Sequence, residues 1–153
     1  MEIGVKVVLD SVSPDGVRLT TLEVVMPRII LSEFNTHRVF SRNSASSRAI
    51  PFAVTSRQIE YHPFVPVIWS SNKSGMQGGE PLNEDSAFLA KSAWTHAAIY
   101  ATEFARDLND LGVHKSLVNR LLEPFMWHTV LVTSTEWDNF FEQRDSPLAE
   151  AHM

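Results

Sequence analysis

The longest helical pattern in the chain lies between Asn83 and Gly112, a stretch with no proline or glycine inside it. Asn83 is a favourable N-cap, two acidic residues follow it in the first turn, and Gly112 suits the left-handed residue that ends a helix. Apolar residues recur at steps of three and four, at Leu89, Ala93, Ala97, Tyr100, Phe104, Leu108 and Leu111. This spacing predicts one long amphipathic helix whose apolar stripe faces the core.

Strands are predicted on both sides of this helix. Residues 2–9 and 17–26 are joined by a Ser-Pro-Asp-Gly turn and predict a hairpin, and residues 125–133 predict a buried strand because they are rich in aromatic and β-branched side chains. The other expected elements are a helix over 28–40, a loop over 41–47, a short strand over 64–69, a flexible loop over 70–80, a short helix over 114–122 with Leu117 and Leu121 facing inward, a helix from Ser134 or Thr135 to Arg144, and the start of another helix over 148–153. We therefore predict a single α+β domain over residues 1–153, with a mixed or antiparallel sheet and long helices.

The composition excludes several classes of protein. The 153 residues contain no cysteine, which excludes disulfide scaffolds, thiolate zinc sites, iron–sulfur clusters and cysteine nucleophiles. A net charge of −5 argues against binding to a nucleic-acid polymer or to an anionic membrane. Because no apolar run approaches the ~20 residues of a membrane span and no signal peptide is evident, a soluble, cytoplasmic protein is expected.

Positive charge is concentrated between Arg28 and Arg48. This segment has four arginines, one acidic residue and no lysine, so it carries +3 while the rest of the chain sums to −8. Guanidinium groups bind phosphate and carboxylate through two parallel hydrogen bonds, so the cluster indicates a small anionic ligand. A salt-bridged surface helix accounts for the spacing equally well. Arg120 and Arg144 also lie beside large apolar residues, which favours a partly dry anion pocket.

Metal and hydrolase chemistry have little support in the sequence. The six histidines include no pair four residues apart around a glutamate, so no metal site is predicted. We expect His96 and His128 to be packed, hydrogen-bonded residues rather than ligands. No Gly-x-Ser-x-Gly motif is present, so nothing indicates a serine hydrolase.

Residues 36–48 read Thr-His-Arg-Val-Phe-Ser-Arg-Asn-Ser-Ala-Ser-Ser-Arg. This segment resembles the signature of the flavin-dependent thymidylate synthases, which is Arg-His-Arg, seven residues, then Ser. The matching positions are His37, Arg38, Ser41, Asn43, Ser46 and Arg48. Two further similarities follow in the family's order, at Gly112 to Pro124 and at Asn139 to Arg144, and Ala149-Glu150 stands where the family has Ala-Gln.

The resemblance implies the thymidylate synthase-complementing protein fold and the methylation of dUMP to dTMP. Methylenetetrahydrofolate supplies the carbon as co-substrate, FAD carries the hydride, and NADPH reduces the flavin. The family uses no cysteine nucleophile, in agreement with a chain that has none. Family members are homotetramers whose active sites are shared between subunits, so self-association is expected.

The resemblance also implies residue roles at the matching positions. FAD would contact His37, Arg38 and Asn139. The dUMP-binding set would be Glu33, Ser44, Ser46, Arg48, Arg120 and Arg144, with Arg120 on the phosphate. Arg144 is the predicted catalytic residue, because a permanently charged guanidinium stabilises negative charge on the pyrimidine without a proton transfer of its own.

Departures from the family pattern keep alternatives open. Thr36 replaces the first arginine of the signature. Glu33 and Glu150 stand where the family has glutamine. A glutamine side chain donates hydrogen bonds, whereas an ionised carboxylate only accepts them. Family members also continue for several tens of residues beyond the position of Met153. The alternatives are a truncated, catalytically silent homologue that binds nucleotide or oligomerises, and a related enzyme that modifies another pyrimidine nucleotide.

Overall fold

The computed structural model of the protein describes residues 3–75 and 77–145. Its strands are β1 (Gly4–Val12), β2 (Arg18–Pro27), β3 (Ser41–Ser44) and β4 (Trp127–Ser134). Its α-helices are α1 (Leu31–Phe34), α2 (Phe52–Tyr61), α3 (Glu84–Asp110), α4 (Lys115–Val118) and α5 (Asp138–Arg144). Short 3-10 helices occupy Arg28–Ile30, Asn119–Leu121 and Glu123–Phe125. The predicted α+β class is therefore confirmed.

The four strands form one antiparallel sheet in the order β1-β2-β4-β3. The β1-β2 hairpin closes as predicted through a turn in which Gly16 has a φ of +85°, a conformation that favours glycine. Along β4, side chains alternate between the two faces of the sheet, and His128, Val130, Val132 and Ser134 are the buried set.

Two apolar clusters form the core. One lies on the sheet and includes Met26, Phe40, Val130 and Val132, with aromatic residues of α1 and α5 packed around it. The other lies beneath α3 and consists of Ile59, Ala98, Ala105, Val118, Leu122, Phe125 and Met126. The first cluster supports the positively charged segment, and the second fixes α3 against α2 and the 118–126 region.

Both ends of α3 match the sequence prediction. Asn83 Oδ1 accepts a hydrogen bond from the Ser86 N–H (2.8 Å), and Gly112 follows the helix with a φ of +81°. The predicted inward face is wrong, however, because Leu89, Ala93, Ala97, Tyr100, Phe104 and Leu111 are exposed and of the predicted stripe only Leu108 packs against the core. The buried positions are Ala98, Thr102 and Ala105, whose small side chains allow α2 and the 118–126 region to approach closely.

The short elements differ most from the predictions. The helix expected over 28–40 ends at Phe34, and the expected loop begins with β3, which pairs with β4 from Ser41–Thr133 to Ser44–Val130. Helix α2 was not predicted, and residues 64–69 form no strand. In the 114–122 segment Leu117 and Leu121 are exposed, while Val118 and Leu122 are buried. The inward positions lie one residue later than predicted, because the segment packs its Val118 side against α3.

His96 and the C-terminal segment were also the subject of predictions. His96 is exposed, so the expectation that it is packed is wrong. The helix expected over 148–153 and the Ala149-Glu150 match lie outside the described residues. Among the residues that are described, no helix combines the length and hydrophobicity that crossing a bilayer requires.

Candidate functional site

The C-terminal end of α5 contacts the segment that follows α1. Arg144 Nη2 lies 3.2 Å from His37 Nε2, although the two residues are 107 positions apart in the sequence. A guanidinium group only donates hydrogen bonds, so Nε2 of His37 is the acceptor and the ring proton resides on Nδ1. The contact joins the predicted catalytic arginine to a predicted flavin-binding residue.

An aromatic cluster holds this contact in place. The His37 ring packs edge-on against Phe140, with 5.0 Å between ring centroids, and lies 5.8 Å from Phe40. Phe40 in turn packs against Trp137 at 4.8 Å. Since Trp137 precedes α5 and Phe140 lies within it, burial of these rings fixes where the exposed Arg144 emerges.

Arg42 stabilises the backbone of the same region through hydrogen bonds. Its Nη1 donates to the backbone oxygens of Phe34 (3.0 Å) and His37 (2.8 Å), and its guanidinium lies over the Phe34 ring. Burial, followed by the charges of Arg144 and Arg42, lowers the pKa of His37 below its usual value. His37 is therefore neutral near pH 7, as its role as an acceptor from Arg144 requires.

A second group of predicted residues lies on the loop after β3. Ser46 and Arg48 have exposed side chains, and the Arg48 N–H donates to Ser46 Oγ (3.3 Å). Ser47 between them is buried, and its hydroxyl donates to Glu123 Oε1 (2.6 Å). Asn119 Nδ2 donates to the Ser47 carbonyl (2.7 Å), which places the segment carrying the exposed Arg120 directly against this loop.

The remaining predicted residues are exposed. Glu33 accepts a hydrogen bond from the Ser32 hydroxyl (2.7 Å), which, with a backbone hydrogen bond, lowers the pKa of Glu33 and keeps it ionised. Asn139 Oδ1 accepts from Gln143 Nε2 (3.1 Å), and the side chains of Arg38 and Ser44 are exposed. Strand β3 runs directly between the His37–Arg144 contact and the Ser46–Arg48 loop, and its four residues span roughly 13 Å.

Three residues of the surrounding network were not predicted as parts of the site. Arg28 Nη1 lies 3.0 Å from His128 Nε2, and Arg28 Nη2 lies 3.4 Å from Glu123 Oε1. His128 is buried and hydrogen-bonded, as predicted, and burial followed by the charge of Arg28 lowers its pKa to about 4. The alternating pattern of β4 could have indicated that His128 points inward, but no local signal identifies its partners.

Two cavities lie apart from these residues. One, of about 300 Å³, is lined by residues of both α2 and α3, with Ile59 and Ala98 among them and the Glu60–Arg106 ion pair at its edge. The other, of about 340 Å³, lies along α5 between Asp138 and Asp145. Neither is lined by a predicted site residue, so neither cavity corresponds to a nucleotide site built on Arg48, Arg120 and Arg144.

Comparison with known proteins shows what fold this arrangement belongs to. No model of a protein family matches the chain, and no curated protein matches it. Two crystal structures of a UMP/dUMP methylase, PolB from Streptomyces cacaoi, are similar to it, one bound with 5-bromo-UMP and one with 5-bromo-dUMP. Each is 17% identical and covers 87% of this chain, with TM-scores of 0.65 and 0.66 and with 71% and 72% of the PolB chain covered. The chain therefore shares the fold of this pyrimidine-nucleotide methylase.

Proposed function

We propose that the chain methylates the pyrimidine ring of a uridine nucleotide, converting dUMP to dTMP. The observation that carries the proposal is the contact between His37 and Arg144. These residues belong to separate motifs that resemble the flavin-dependent thymidylate synthases. Their meeting in a fold shared with a UMP/dUMP methylase supports the reading of both motifs as parts of one site.

The exposed cations suit the binding of a nucleotide monophosphate. Arg48 and Arg120 project from segments that hydrogen bonds hold together, and paired guanidinium groups bind and orient a phosphate. The Ser46 hydroxyl accepts from the Arg48 N–H, so its own proton is free to be donated to the nucleotide. Ser46 is therefore proposed as a hydrogen-bond donor rather than as a nucleophile.

Arg144 is proposed to stabilise negative charge on the pyrimidine. A guanidinium has five N–H donors, and one at Nη2 faces His37 while the rest of the exposed side chain can meet a ligand. Because neutral His37 accepts from Arg144, it orients the guanidinium without neutralising it. The positive charge is then available where the ring becomes electron-rich during attack on the methyl donor.

The residues around His37 also suit the flavin that the resemblance implies. Three side chains match parts of FAD in chemical type. The exposed Arg38 guanidinium suits the diphosphate, the half-buried His37 imidazole suits the ring edge, and the Asn139 side-chain amide suits the adenine. These three residues would hold FAD, which when bound supplies hydride chemistry. NADPH would reduce it, and methylenetetrahydrofolate would bring the carbon.

Self-association is proposed for the face that α3 leaves uncovered. Leu89, Tyr100 and Phe104 are each more than half exposed, and they belong to the apolar stripe recognised in the sequence. Contiguous exposed apolar side chains of this size mark interaction surfaces. A second copy of this chain is the proposed occupant, in agreement with the shared active sites that the resemblance implies.

The experiment that tests the function measures product formation directly. Purified protein is incubated with FAD, NADPH, methylenetetrahydrofolate and dUMP tritiated at C5, and tritium release is measured together with dTMP by mass spectrometry. We expect a flavin-absorbing protein that releases tritium and forms dTMP, with Arg144→Lys strongly reduced. Absence of flavin binding at high FAD concentration would contradict the proposed flavoenzyme.

A second candidate substrate is UMP. It is favoured because one similar structure holds a ribonucleotide analogue and because ionised Glu33 stands where the thymidylate synthases have glutamine. Parallel assays with dUMP and UMP decide between the two. A protein that is stabilised by nucleotide but forms no methylated product would instead be the catalytically silent homologue.

A further inference from the structure

Ser47 is buried between two exposed residues of the proposed nucleotide site. Its neighbours Ser46 and Arg48 point outward, while the Ser47 side chain is only 3% exposed. Its hydroxyl donates to Glu123 Oε1 at 2.6 Å, and its carbonyl accepts from Asn119 Nδ2 at 2.7 Å. The loop is thus held at its midpoint by both a side-chain and a backbone hydrogen bond.

The carboxylate that receives Ser47 is itself held in place. Arg28 Nη2 lies 3.4 Å from Glu123 Oε1, and Arg28 Nη1 lies 3.0 Å from His128 Nε2. Because a guanidinium only donates hydrogen bonds, Glu123 Oε1 and His128 Nε2 are both acceptors. A carboxylate acceptor makes a stronger hydrogen bond with the Ser47 hydroxyl than a neutral group would.

The same short segment carries Arg120. Asn119 precedes it, and besides the Ser47 carbonyl Asn119 Nδ2 donates to the carbonyl of Ile50 (2.9 Å). Lys115, at the start of α4, donates from Nζ to the Ala49 carbonyl (3.0 Å). The loop carrying Arg48 and the segment carrying Arg120 are therefore linked by hydrogen bonds to three residues of the loop, Ser47, Ala49 and Ile50.

We propose that Glu123 is a positioning residue for the nucleotide site. Through the Ser47 hydroxyl, and beside the backbone bond from Asn119, it sets the spacing between Arg48 and Arg120 that a nucleotide phosphate requires. The inference deepens the proposed function and rests on it. Loss of either hydrogen bond to Ser47 leaves both arginines present but frees the loop, so it weakens nucleotide binding without removing a group that touches the nucleotide.

The test uses the full chain with Ser47→Ala, Glu123→Gln and the double variant. Ser56→Ala is the matched control, because Ser56 is buried and its hydroxyl donates within α2, to the Ala53 carbonyl (3.4 Å). Calorimetric titration with dUMP gives the dissociation constant, and hydrogen exchange followed by mass spectrometry reports the amides of residues 46–50. Steady-state kinetics separates KM from kcat.

We expect Ser47→Ala to raise the dissociation constant for dUMP up to about tenfold, the size of one lost charge-assisted hydrogen bond. Glu123→Gln should raise it less, because the glutamine oxygen still accepts from Ser47 but without a charge. The double variant should lose no more than Ser47→Ala alone, because both changes act on the same bond. KM should rise with kcat nearly unchanged, and residues 46–50 should exchange faster while α3 stays protected. Ser56→Ala should bind dUMP as the wild type does.

Wild-type affinity and wild-type exchange of residues 46–50 in both single variants would overturn the inference. If Glu123→Gln does not fold, Ser47→Ala decides the outcome on the same two measurements. If the wild type binds neither dUMP nor UMP, the proposed function fails. Exchange of residues 46–50 in the variants then still decides whether the Ser47–Glu123 bond holds the loop.

Discussion

The arginines of the positively charged segment differ in what their guanidinium groups contact. Arg28 and Arg42 donate inward, to Glu123 and His128 in one case and to backbone carbonyls in the other. The side chains of Arg38 and Arg48 are exposed. Two of the four arginines therefore hold the segment in shape through hydrogen bonds, and the other two are exposed and available to a ligand.

Removing the acceptor beside Arg144 should lower turnover more than affinity. In His37→Ala the guanidinium loses the ring nitrogen that orients it, and we expect kcat to fall by about 10²-fold, in the range seen when one preorganised contact at a transition state is lost. His37→Gln offers a side-chain oxygen as a replacement acceptor and should recover part of the rate. Steady-state kinetics of both variants checks this. Equal kcat in His37→Ala and wild type would show that the contact has no part in turnover.

Acid should destabilise the protein through His128. Burial and the charge of Arg28 lower its pKa from 6.5 to about 4, so between these values the unfolded chain takes up a proton that the folded protein does not. Stability from this residue is present above about pH 6.5 and declines as the pH falls toward 4, by about 2–3 kcal/mol in all. Urea unfolding across this pH range measures the slope. His128→Gln should flatten it, whereas the exposed His96→Gln should leave it unchanged.

Helix α3 presents apolar residues on two sides that differ in side-chain size. The inner side consists of small residues such as Ala98 and Ala105, and the outer side carries large ones such as Tyr100 and Phe104. Small residues allow close helix packing, so a single chain buries the side that carries them. The large residues remain exposed.

Self-association should depend on the outer side of α3. We expect Phe104→Glu and Leu89→Glu to shift the protein to a smaller assembly, because a carboxylate buried between two copies has no partner. Lys91→Glu introduces the same group on an exposed polar position of the same helix and should leave the assembly intact. Analytical ultracentrifugation at several concentrations gives the masses. A wild type that is monomeric at tens of micromolar would contradict the proposal.

At the scale of the whole molecule, the two groups of proposed site residues lie at either end of β3. The His37–Arg144 contact precedes the strand, and the Ser46–Arg48 loop follows it. Neither cavity described above has these residues in its lining, so β3 and its two ends, rather than either cavity, define the proposed site.

Nucleotide binding should raise the melting temperature in a phosphate-dependent way. At a dUMP concentration 100 times the dissociation constant, binding adds about 2.7 kcal/mol, or roughly 5–10 °C for a domain of this size. Deoxyuridine lacks the phosphate that Arg48 and Arg120 are proposed to bind and should give a much smaller shift. Differential scanning calorimetry of the wild type and Arg120→Ala tests this. An equal shift with dUMP and deoxyuridine would exclude these arginines as the phosphate site.

Local chemistry accounts for the parts of the fold that the sequence predicts. The turn before Gly16, the cap at Asn83 and the aromatic and β-branched run of β4 act within a few residues, so the hairpin, α3 and the central strand are recognisable in the chain itself. Strand β3 is polar throughout, and it is a strand because β4 offers it an edge to pair with. Such pairing partners lie about 90 residues away and leave no local signal.

For the candidate site, the sequence by itself determined which residues were candidates and which motifs they belong to. Tertiary structure alone decided that Arg144 meets His37, that Ser47 is bound by Glu123 and Asn119, and that the large apolar residues of α3 face outward. The physical reason is the same in each case. Spacing along the chain specifies the chemical type and local geometry of a side chain, whereas its partner is decided by packing between segments that are distant in sequence.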